Sequence, residues 1–575
     1  MTRDDDLHIR LGRIRSRRSR SLPFIAQALA AAEKAGGFAR PSRRARVGSF
    51  GRGRAAGLAA SGLTDRSRRV VVKARVVRHR VNRAPLTAHL TYLRREGVTK
   101  DGATGRMFDA ERDDADHCAF AERCESDRHH FRFIVSPDDA TELSDLKALT
   151  RDLMAQAQRD LGTKLDWVAV DHWNTEHPHV HVIIRGRADD GQDLVISRDY
   201  IREGIRARAQ GLVTRELGPR SEQEIRRSLE EEIEAERWTP LDRAFAREAA
   251  ANRGIIDLRP DRYPKGGDLQ TIKIGRMRQL ERLGLAHQVG VGQWTLVEDS
   301  EPTLQALGER SDIIKRIHRG LTAHGWERAT SSFALTSETE PSPVIGRLVA
   351  RGLDDELTGT AYAVIDGTDG RAHHIRLPDL DAAGDSGPGS IVELRRYEDS
   401  KGKQRLALAT RSDLAIEAQL KANGATWLDR QLLAREATSL SDGGFGREVS
   451  EAMDARVEFL VSEGLARRQG QRVIFIRDLL DTLRRRELDT AGAKISAETG
   501  LPYHSAAESE SIAGVYRQRL SLASGRFAMI DDGLGFNLVP WTPSLERQLG
   551  RQVAGAMQSS GMIDWSLGRK RGLGL

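Results

Sequence analysis

Between residues 70 and 220 the hydrophobic positions switch between the two-residue period of strands and the wider period of helices. Around 70–77, β-branched residues alternate with basic ones, which is typical of a half-buried strand. In 84–97 the apolar residues recur at helical spacing between Pro85 and Gly97, which suit the start and the end of a helix. The pattern predicts strands at 70–77, 131–135, 166–170 and 179–184 and helices at 84–97 and 140–160. This order predicts an α+β domain with an antiparallel sheet and flanking helices.

After a charged helix predicted at 222–237, the chain repeats one local pattern. A helix ends in Gly-Leu-Ala at 284–286 and a hairpin around Gly-Gln follows, and the same series recurs from 464–466. A helix followed by a hairpin is typical of winged-helix DNA-binding domains, and a helix–strand packing unit without DNA contact is the alternative. Between the two copies, residues 344–408 alternate with the strand period and contain turn residues, which predicts a small β-barrel.

These patterns divide the chain into seven predicted segments. A length of 575 residues accommodates several domains of about 150 residues each. The segments are a basic, largely disordered arm (1–69), the sheet domain (70–220), a helical connector (221–240), a winged-helix-like module (241–340), a small β-barrel (341–412), a second winged-helix-like module (413–490) and a C-terminal α/β unit (491–575).

The composition predicts a protein that does not insert into membranes and that works in a reducing compartment. No apolar run approaches the ~18 residues that a membrane-spanning helix needs. Two cysteines in 575 residues exclude a disulfide-stabilised class of protein. Residues 17–30 have the outline of an export signal, but Gln27 interrupts the apolar stretch and basic residues resume at Lys34. We therefore expect a cytoplasmic protein.

The net charge of +8 is unevenly distributed along the chain. Residues 1–80 contain 21 Lys and Arg against 5 Asp and Glu, so the remainder of the chain is acidic overall. A basic arm usually contacts phosphate, because each Lys or Arg that neutralises a phosphate releases a counterion. The charge distribution therefore indicates a nucleic-acid partner.

The strongest chemical signal is a group of four histidines within the ten residues 172–181. In a strand, side chains two residues apart share a face, so His179 and His181 point the same way while the intervening valine faces a core. His172 lies on the preceding turn and can fold back toward this pair. Three converging imidazoles leave the other positions of a divalent cation open for water or a phosphate oxygen. A hydrogen-bonded structural cluster is the alternative.

The identity of the third ligand and of the groups that orient the imidazoles stays open. His177 is an alternative to His172, since it directly precedes the Pro-His-x-His strand. Glu176 and Asp171 are expected to orient an imidazole by hydrogen bonding, as carboxylates commonly do around metal sites.

Two other groups of metal-binding residue types point less clearly to a site. Cys118 and Cys124, with histidines at 117, 129 and 130 nearby, offer a competing zinc site, but five intervening residues is not the spacing of a zinc knuckle. The pair His373-His374 lies in the predicted barrel and is interpreted as the surface of a strand rather than as a pair of metal ligands.

Tyr92 is the one tyrosine on a helix of the predicted sheet domain with basic residues close behind it. Arg94, Arg95 and Lys100 follow and can hold a phosphate chain. A tyrosine that attacks a phosphodiester forms a phosphotyrosyl link that keeps the bond energy for rejoining. Because the unperturbed pKa of tyrosine is near 10, such a reaction needs a base, for which Asp171 and Glu176 are candidates. A half-buried amphipathic tyrosine is the alternative.

The segment 172–181 reads His-x-Asn-x-Glu-His-Pro-His-x-His before an apolar strand. It resembles the third motif of conjugative relaxases, the histidine-hydrophobe-histidine endonucleases, and most of all the branch that includes the T-DNA border endonuclease. The segment 89–97 is similar to that branch's first motif, which carries the nucleophilic tyrosine, and 133–136 is similar to its second motif. The resemblance covers about residues 70–220, and residues 174 and 176 are Asn and Glu where the family usually has Asp.

The resemblance implies site- and strand-specific nicking of plasmid or integrative-element DNA at its transfer origin. Tyr92 would attack the scissile phosphate and stay attached to the 5′ end, and Ser136 would contact DNA near the nick. His172, His179 and His181 would hold Mg²⁺ or Mn²⁺. The implied partners are origin-of-transfer DNA, single-stranded at the nick, accessory DNA-binding proteins and a type IV coupling protein, in a bacterial cytoplasm.

Three other functions fit part of these features. A rolling-circle replication initiator shares the chemistry but usually carries a helicase or replication module, and the sequence contains no ATP-binding glycine loop. A non-catalytic origin-binding protein would retain a vestigial histidine cluster. A metal hydrolase of small phosphates would not need the basic arm. For the relaxase we expect binding to single-stranded DNA that weakens steeply with salt.

Overall fold

The computed structural model divides into two units, 1–231 and 232–575. Each unit has its own sheets and hydrophobic cores. The predicted basic arm lies outside the described residues apart from 52–53 and 66–69. The described residues are 52–53, 66–79, 86–95, 97–173, 177–259, 267–336, 344–398, 402, 404–436, 438–470, 472–505, 511–558 and 563–565.

The first unit is built on a four-stranded antiparallel sheet in the spatial order β1-β2-β4-β3. All neighbouring strands pair antiparallel, so the α+β class predicted for this region is confirmed. The strands are β1 (Val70–Arg78), β2 (His129–Pro137), β3 (Trp167–His172) and β4 (His179–Arg185).

Helices cover the two faces of this sheet unequally. One face packs against α3 and α4 through a large core that includes Phe133, Leu153 and Val182. On the opposite face, α1 and α2 cover β3 and β4 through a smaller core that includes Leu93 and Val170. The helices are α1 (Leu86–Leu93), α2 (His117–Cys124), α3 (Leu146–Leu161), α4 (Ile205–Leu217), which a π-helical turn (Tyr200–Gly204) precedes, and α5 (Glu222–Ile233).

Two helix starts differ from the sequence prediction because acidic caps decide them. Helix α2 is absent from the elements predicted from the sequence, and it starts where the side chain of Asp116 accepts the N–H groups of Cys118 and Ala119. The helix predicted from 140 begins at Leu146 instead, where Asp145 accepts the N–H of Lys147. In both places an aspartate that satisfies free N–H groups fixes the first turn.

The second unit contains seven further helices among its described residues and four sheets. The helices are α6 (Pro240–Ala251), α7 (Gly267–Arg282), α8 (Ser300–Ala323), α9 (Ile416–Gln419), α10 (Trp427–Leu432), α11 (Gly444–Ser462) and α12 (Leu479–Thr499). Two small sheets follow α7 and α11: β5-β7-β6, made of β5 (Ile256–Asp257), β6 (Ala286–Gly290) and β7 (Gln293–Leu296), and β14-β15, made of β14 (Ala466–Gln469) and β15 (Arg472–Phe475).

The other two sheets have six strands each, in the orders β13-β12-β9-β10-β11-β8 and β16-β19-β18-β17-β20-β21. The first comprises β8 (Phe333–Thr336), β9 (Ile345–Asp355), β10 (Thr360–Gly367), β11 (Ala372–Leu377), β12 (Ile391–Glu398) and β13 (Gln404–Ser412). The second comprises β16 (Tyr503–His504), β17 (Ser511–Leu522), β18 (Gly525–Asp531), β19 (Phe536–Pro540), β20 (Gln552–Met557) and β21 (Ile563–Trp565).

The small β-barrel predicted at 341–412 is wrong. The strands in this region form an open sheet whose edge strands are β13 and β8, and these two do not pair with each other in the described part of the chain. A barrel requires its first and last strands to hydrogen-bond. The alternation of apolar residues identified the strands, but it holds no information on which strand pairs with which.

Among the described residues, no helix combines the length and the apolar character that crossing a lipid bilayer requires.

Candidate metal centre

Strand pairing brings His172, His179 and His181 together on one face of the first sheet. His172 is the last residue of β3 rather than part of a turn, and it pairs with His179, while Val170 pairs with His181. Paired residues of antiparallel strands point to the same face. The ring centroid of His172 lies 5.3 Å from that of His179 and 4.5 Å from that of His181. The predicted convergence of three imidazoles is therefore present in the structure.

Backbone carbonyls hold two of these imidazoles by one ring nitrogen. Nε2 of His172 is 2.8 Å from the carbonyl oxygen of Leu93, and Nδ1 of His179 is 2.9 Å from that of His177. Since a carbonyl only accepts, these nitrogens carry the protons in the neutral rings. Nδ1 of His172 and Nε2 of His179 then keep their lone pairs for a ligand. Metal-binding histidines commonly donate their other N–H in this way.

The donor set fits a divalent metal ion. One ligand nitrogen of each of the three histidines lies within 4.8 Å of the others, and Nε2 of His179 is 3.1 Å from Nε2 of His181. All three side chains are buried. Imidazole nitrogens suit transition metals, whereas Mg²⁺ takes oxygen ligands.

Asp171, one of the two carboxylates expected to orient the imidazoles, faces away from them. Asp171 pairs with Val180, which belongs to the core on the opposite face of the sheet, and its carboxylate accepts the indole N–H of Trp173 at 2.7 Å. The geometry thus disfavours Asp171 both as an orienting group and as a base. Glu176 lies outside the described residues. His177, the alternative ligand, contributes its backbone carbonyl to His179.

Tyr92 lies on α1, directly before the residue whose carbonyl holds His172. Its side chain is half-buried, and the guanidinium of Arg95 lies 4.5 Å from the centre of its ring. The contact between Leu93 and His172 therefore places the end of the tyrosine helix against the histidine cluster. Two of the predicted site elements, which the sequence separates by 79 residues, meet at this hydrogen bond.

The other predicted phosphate-binding residues have different surroundings. Arg94 turns away to α2, where its Nη1 is 2.9 Å from Nδ1 of His117 and its Nε donates to the carbonyl of Gly105. Lys100 is exposed, with its ammonium 5.3 Å from the centre of the Trp173 ring. Of the two, only Lys100 is thus available to a ligand in solution.

Ser136 lies beside the histidine cluster. Its hydroxyl donates to the carbonyl of Pro178 at 3.4 Å, and Pro178 directly precedes His179 of the cluster. Ser136 is on β2, next to the strand that carries two of the histidines. Ser136, the predicted DNA contact, is therefore adjacent to the histidine cluster.

The sequence reasoning missed two basic residues on the same face as the histidines. Lys73 pairs with Ile134, which in turn pairs with His181, and Arg75 lies two residues further along β1. Neither side chain forms an ion pair with any described residue. Arg132, the partner of Arg75, donates to His130 at 3.0 Å. We call Lys73, Arg75 and Arg132, on β1 and β2, the basic shelf. The alternation of basic with β-branched residues along β1 was the sequence signal for it.

The competing zinc site does not assemble with both cysteines. Cys118 is exposed, whereas Cys124 is buried, and burial together with Asp127 raises the pKa of the Cys124 thiol to about 12. A protonated thiol is a poor zinc ligand. The described group that does come together is Asp116, His117 and Cys118, and its imidazole is already engaged by Arg94.

His373 and His374 were expected on a strand surface, but both are buried in β11. As consecutive strand residues they point to opposite faces. His373 Nε2 is 3.0 Å from the carboxylate of Asp369, while His374 stacks on Tyr362. Burial and the charge of Arg316 lower the pKa of His374 to about 4. His373 and His374 do not form a metal-binding pair, because their rings lie on opposite faces of the sheet and contact different residues.

A protein family matches this chain, and the matched residues lie in the second unit. The family described as a protein of unknown function (DUF3363) matches residues 273–404 and 394–574, which together make up more than half of the chain. No curated protein and no solved structure matches significantly. The histidine cluster lies outside the matched region. On the extent of this match, the chain belongs to the DUF3363 family.

Proposed function

We propose that the chain is a conjugative relaxase, a metal-dependent endonuclease that nicks one DNA strand at a transfer origin. In this reaction the phenolic oxygen of Tyr92 attacks the scissile phosphorus and the bond to the 3′ oxygen breaks. Tyr92 gives up its phenolic proton in the attack, the 3′ oxygen leaves and takes up a proton, and the 5′ end remains on Tyr92 as a phosphotyrosyl ester. The phosphotyrosyl ester retains the energy of the original phosphodiester bond, so the two DNA ends can be rejoined later. Mobilisation of a plasmid or integrative element requires this rejoining.

The observation that carries this proposal is the hydrogen bond between His172 and the carbonyl of Leu93. This bond joins the cluster of three imidazoles to Leu93, the residue directly after Tyr92. The guanidinium of Arg95 lies over the ring of that tyrosine. A structural histidine cluster would not need a tyrosine helix beside it. A metal centre for strand transfer needs both, because the nucleophile and the polarising ion act on the same phosphate.

The residues divide the chemistry between them. His172, His179 and His181 would hold the ion, and a bound divalent cation would withdraw charge from the scissile phosphate. Leu93 and His177 keep two of these rings in the orientation that presents a lone pair. Arg95, whose guanidinium lies over the Tyr92 ring, would place a positive charge beside the attacking phenol.

The basic shelf supports a polyanionic substrate. Adjacent strands are about 4.8 Å apart, so Lys73, two strands from His181, lies roughly 10 Å from the cluster across the sheet. A nucleic-acid backbone that passes the metal centre would reach Lys73 and Arg75 with its next phosphates. A small phosphate would have no use for cations at that distance. The shelf therefore favours DNA over small phosphate esters.

The test is a nicking assay with the full chain, Mn²⁺ or Mg²⁺ and supercoiled plasmid that carries the transfer origin of the encoding element. We expect a protein-linked 5′ DNA end with wild type and its complete loss in Tyr92→Phe. We expect His179→Ala to lose at least 100-fold in nicking rate, since ligand loss removes the phosphate-polarising ion.

Two matched controls keep this test specific. Tyr397→Phe and His318→Ala change exposed residues of the same types in the second unit, and both should nick like wild type. Nicking that persists in Tyr92→Phe without a covalent adduct would contradict the tyrosine mechanism and indicate hydrolysis by metal-bound water. Tight binding to the transfer origin without any nicking, even after accessory proteins are added, would contradict the proposal that the chain is an endonuclease.

A further inference from the structure

Two stretches of the second unit share one scaffold. We call residues 232–298 the first module and 419–477 the second module. Each begins with a helix cap in which a threonine and an aspartate three residues later bond to each other's backbone N–H, Thr239 with Asp242 and Thr426 with Asp429. Each continues to a long helix, α7 or α11, and to a hairpin, β6-β7 or β14-β15.

The interiors of the two modules match contact by contact. The guanidinium of Arg276 binds Asp242, that of Arg456 binds Asp429, and all four side chains are fully buried. Each guanidinium also donates to three backbone carbonyls that lie nine, seven and five residues before its aspartate. These carbonyls belong to Ile233, Ala235 and Arg237 in the first module and to Leu420, Ala422 and Gly424 in the second.

The ends of the two long helices match as well. Gly284 and Gly464 have φ of 73° and 69°, and the following leucine N–H in each module donates to a leucine carbonyl at 2.8 Å. The buried arginines and these glycines give the same alignment of α7 with α11. Arg278 on α7 therefore corresponds to Glu458 on α11.

The solvent faces of the matched helices carry opposite charge. Among the described side chains, the exposed charged ones are Arg278, Glu281 and Arg282 on α7, a net charge of +1, and Arg447, Glu451, Asp454 and Glu458 on α11, a net charge of −2. Overall α7 has four basic and two acidic residues, whereas α11 has two basic and four acidic ones. Arg278 and Arg282 are exposed and form no ion pair within the described part of the chain. The two free guanidiniums are one helical turn apart.

The hairpins differ in the same sense. In the second module Arg468 of β14 pairs with Glu458 of α11, so the hairpin and the helix neutralise each other. In the first module no ion pair joins the described hairpin residues to Arg278 or Arg282, and the hairpin exposes an apolar tip, with Val289 58% and Val291 91% exposed. The first module thus combines two arginines that form no ion pair, on an exposed helix face, with a projecting hairpin.

We propose that the first module binds duplex DNA through the solvent face of α7 and its hairpin, and that the second module does not use α11 in this way. A helix next to a hairpin can enter the major groove while the hairpin lies along the backbone. Guanidiniums that bind phosphate release counterions, whereas the carboxylates of α11 would be repelled. Because the interiors match, this difference belongs to the surface and not to the fold. Duplex binding by the first module is independent of the proposed nicking reaction in the first unit.

The test uses the full chain and a 30-base-pair duplex of mixed sequence, with binding followed by fluorescence anisotropy across 50–200 mM NaCl. The variant Arg278→Glu/Arg282→Ser gives α7 the residues of α11. We expect it to bind the duplex at least tenfold more weakly at 100 mM NaCl. The slope of log K against log salt should fall by about two, one for each lost phosphate contact.

A matched variant, Arg447→Glu/Arg477→Ser, makes the same charge change at exposed positions of the second module, and we expect duplex binding within twofold of wild type. Unchanged duplex affinity in the first variant, or an equal loss in both, would overturn the inference. A single-stranded 30-mer separates it from the proposed function, since Arg278→Glu/Arg282→Ser should bind that probe like wild type. An equal loss on the single strand would also overturn it, because α7 would then be part of a general anion surface.

Discussion

The first and second modules place nearly identical buried contacts beneath dissimilar surfaces. The ion pairs of Arg276 with Asp242 and of Arg456 with Asp429 each sit in a ring of three backbone carbonyls, at the same spacing. Above these contacts, Arg278 stands where the other module has Glu458. A buried charge pair tolerates almost no change, because either partner alone would be desolvated without compensation. The charge of an exposed side chain can change without this penalty. Comparing the two modules therefore distinguishes residues that stabilise the fold from residues available to bind a ligand.

The largest effect should come from breaking the buried pairs. Arg276→Met and Arg456→Met each leave a buried aspartate without its partner, which should lower the free energy of unfolding of the module by about 3–5 kcal/mol. Hydrogen-exchange mass spectrometry of the full chain would report this as lost protection in peptides of the affected module. Arg278→Met, an exposed change on the same helix, should stay within about 0.5 kcal/mol. A large loss in one module and none in the other would break the comparison.

The capping threonines should have a smaller and again equal effect. Thr239→Ala and Thr426→Ala remove a hydroxyl that accepts the N–H of the third helical residue and donates to its carboxylate at 2.8 Å. Loss of such a cap costs about 1–2 kcal/mol at a buried site. Urea denaturation with module-resolved hydrogen exchange would measure it. Thr→Ser at either position retains the hydroxyl and should recover most of the loss, and a failure to recover would assign the effect to packing of the methyl group.

The glycines that end the long helices should have the smallest effect. No atom lies within 4 Å of a Cβ built on Gly284 or Gly464, so Ala fits sterically and pays only for the left-handed backbone. We expect about 1 kcal/mol of destabilisation at each. Gly211→Ala provides the control, since that glycine lies within α4 with open space around it and a helical backbone, and alanine should stabilise there. A stabilising effect at Gly284 or Gly464 would show that the shared helix end is not under backbone constraint.

Much of the first sheet follows from local pattern. The strand period placed β1 to β4 to within two residues at each end, because a half-buried strand must alternate its side chains between core and solvent. The same alternation put His179 and His181 on one face. The Gly-Leu-Ala helix ends likewise pointed to a repeated unit, since a left-handed glycine after a helix is a strong local signal.

Other features were beyond local pattern. The Leu93 carbonyl that holds His172 belongs to a distant segment, and any residue type supplies a carbonyl. The alignment of Lys73 with His181 depends on the order of strands in the sheet, which is why the basic shelf went unnoticed. The predicted barrel failed for the same reason, because strand partners are chosen by contacts across the whole sheet.

The sequence by itself determined the strand and helix periods of this protein, the pairing of two histidines on one strand face and the presence of a repeated helix-and-hairpin unit. These properties depend on residues within one or two turns of each other. Tertiary structure alone decided that the tyrosine helix meets the histidines, that one carboxylate candidate faces the wrong side, and that two modules share buried ion pairs under opposite charges. Those depend on which distant segments pack together, and the free energy of packing is set by the whole core rather than by any local stretch.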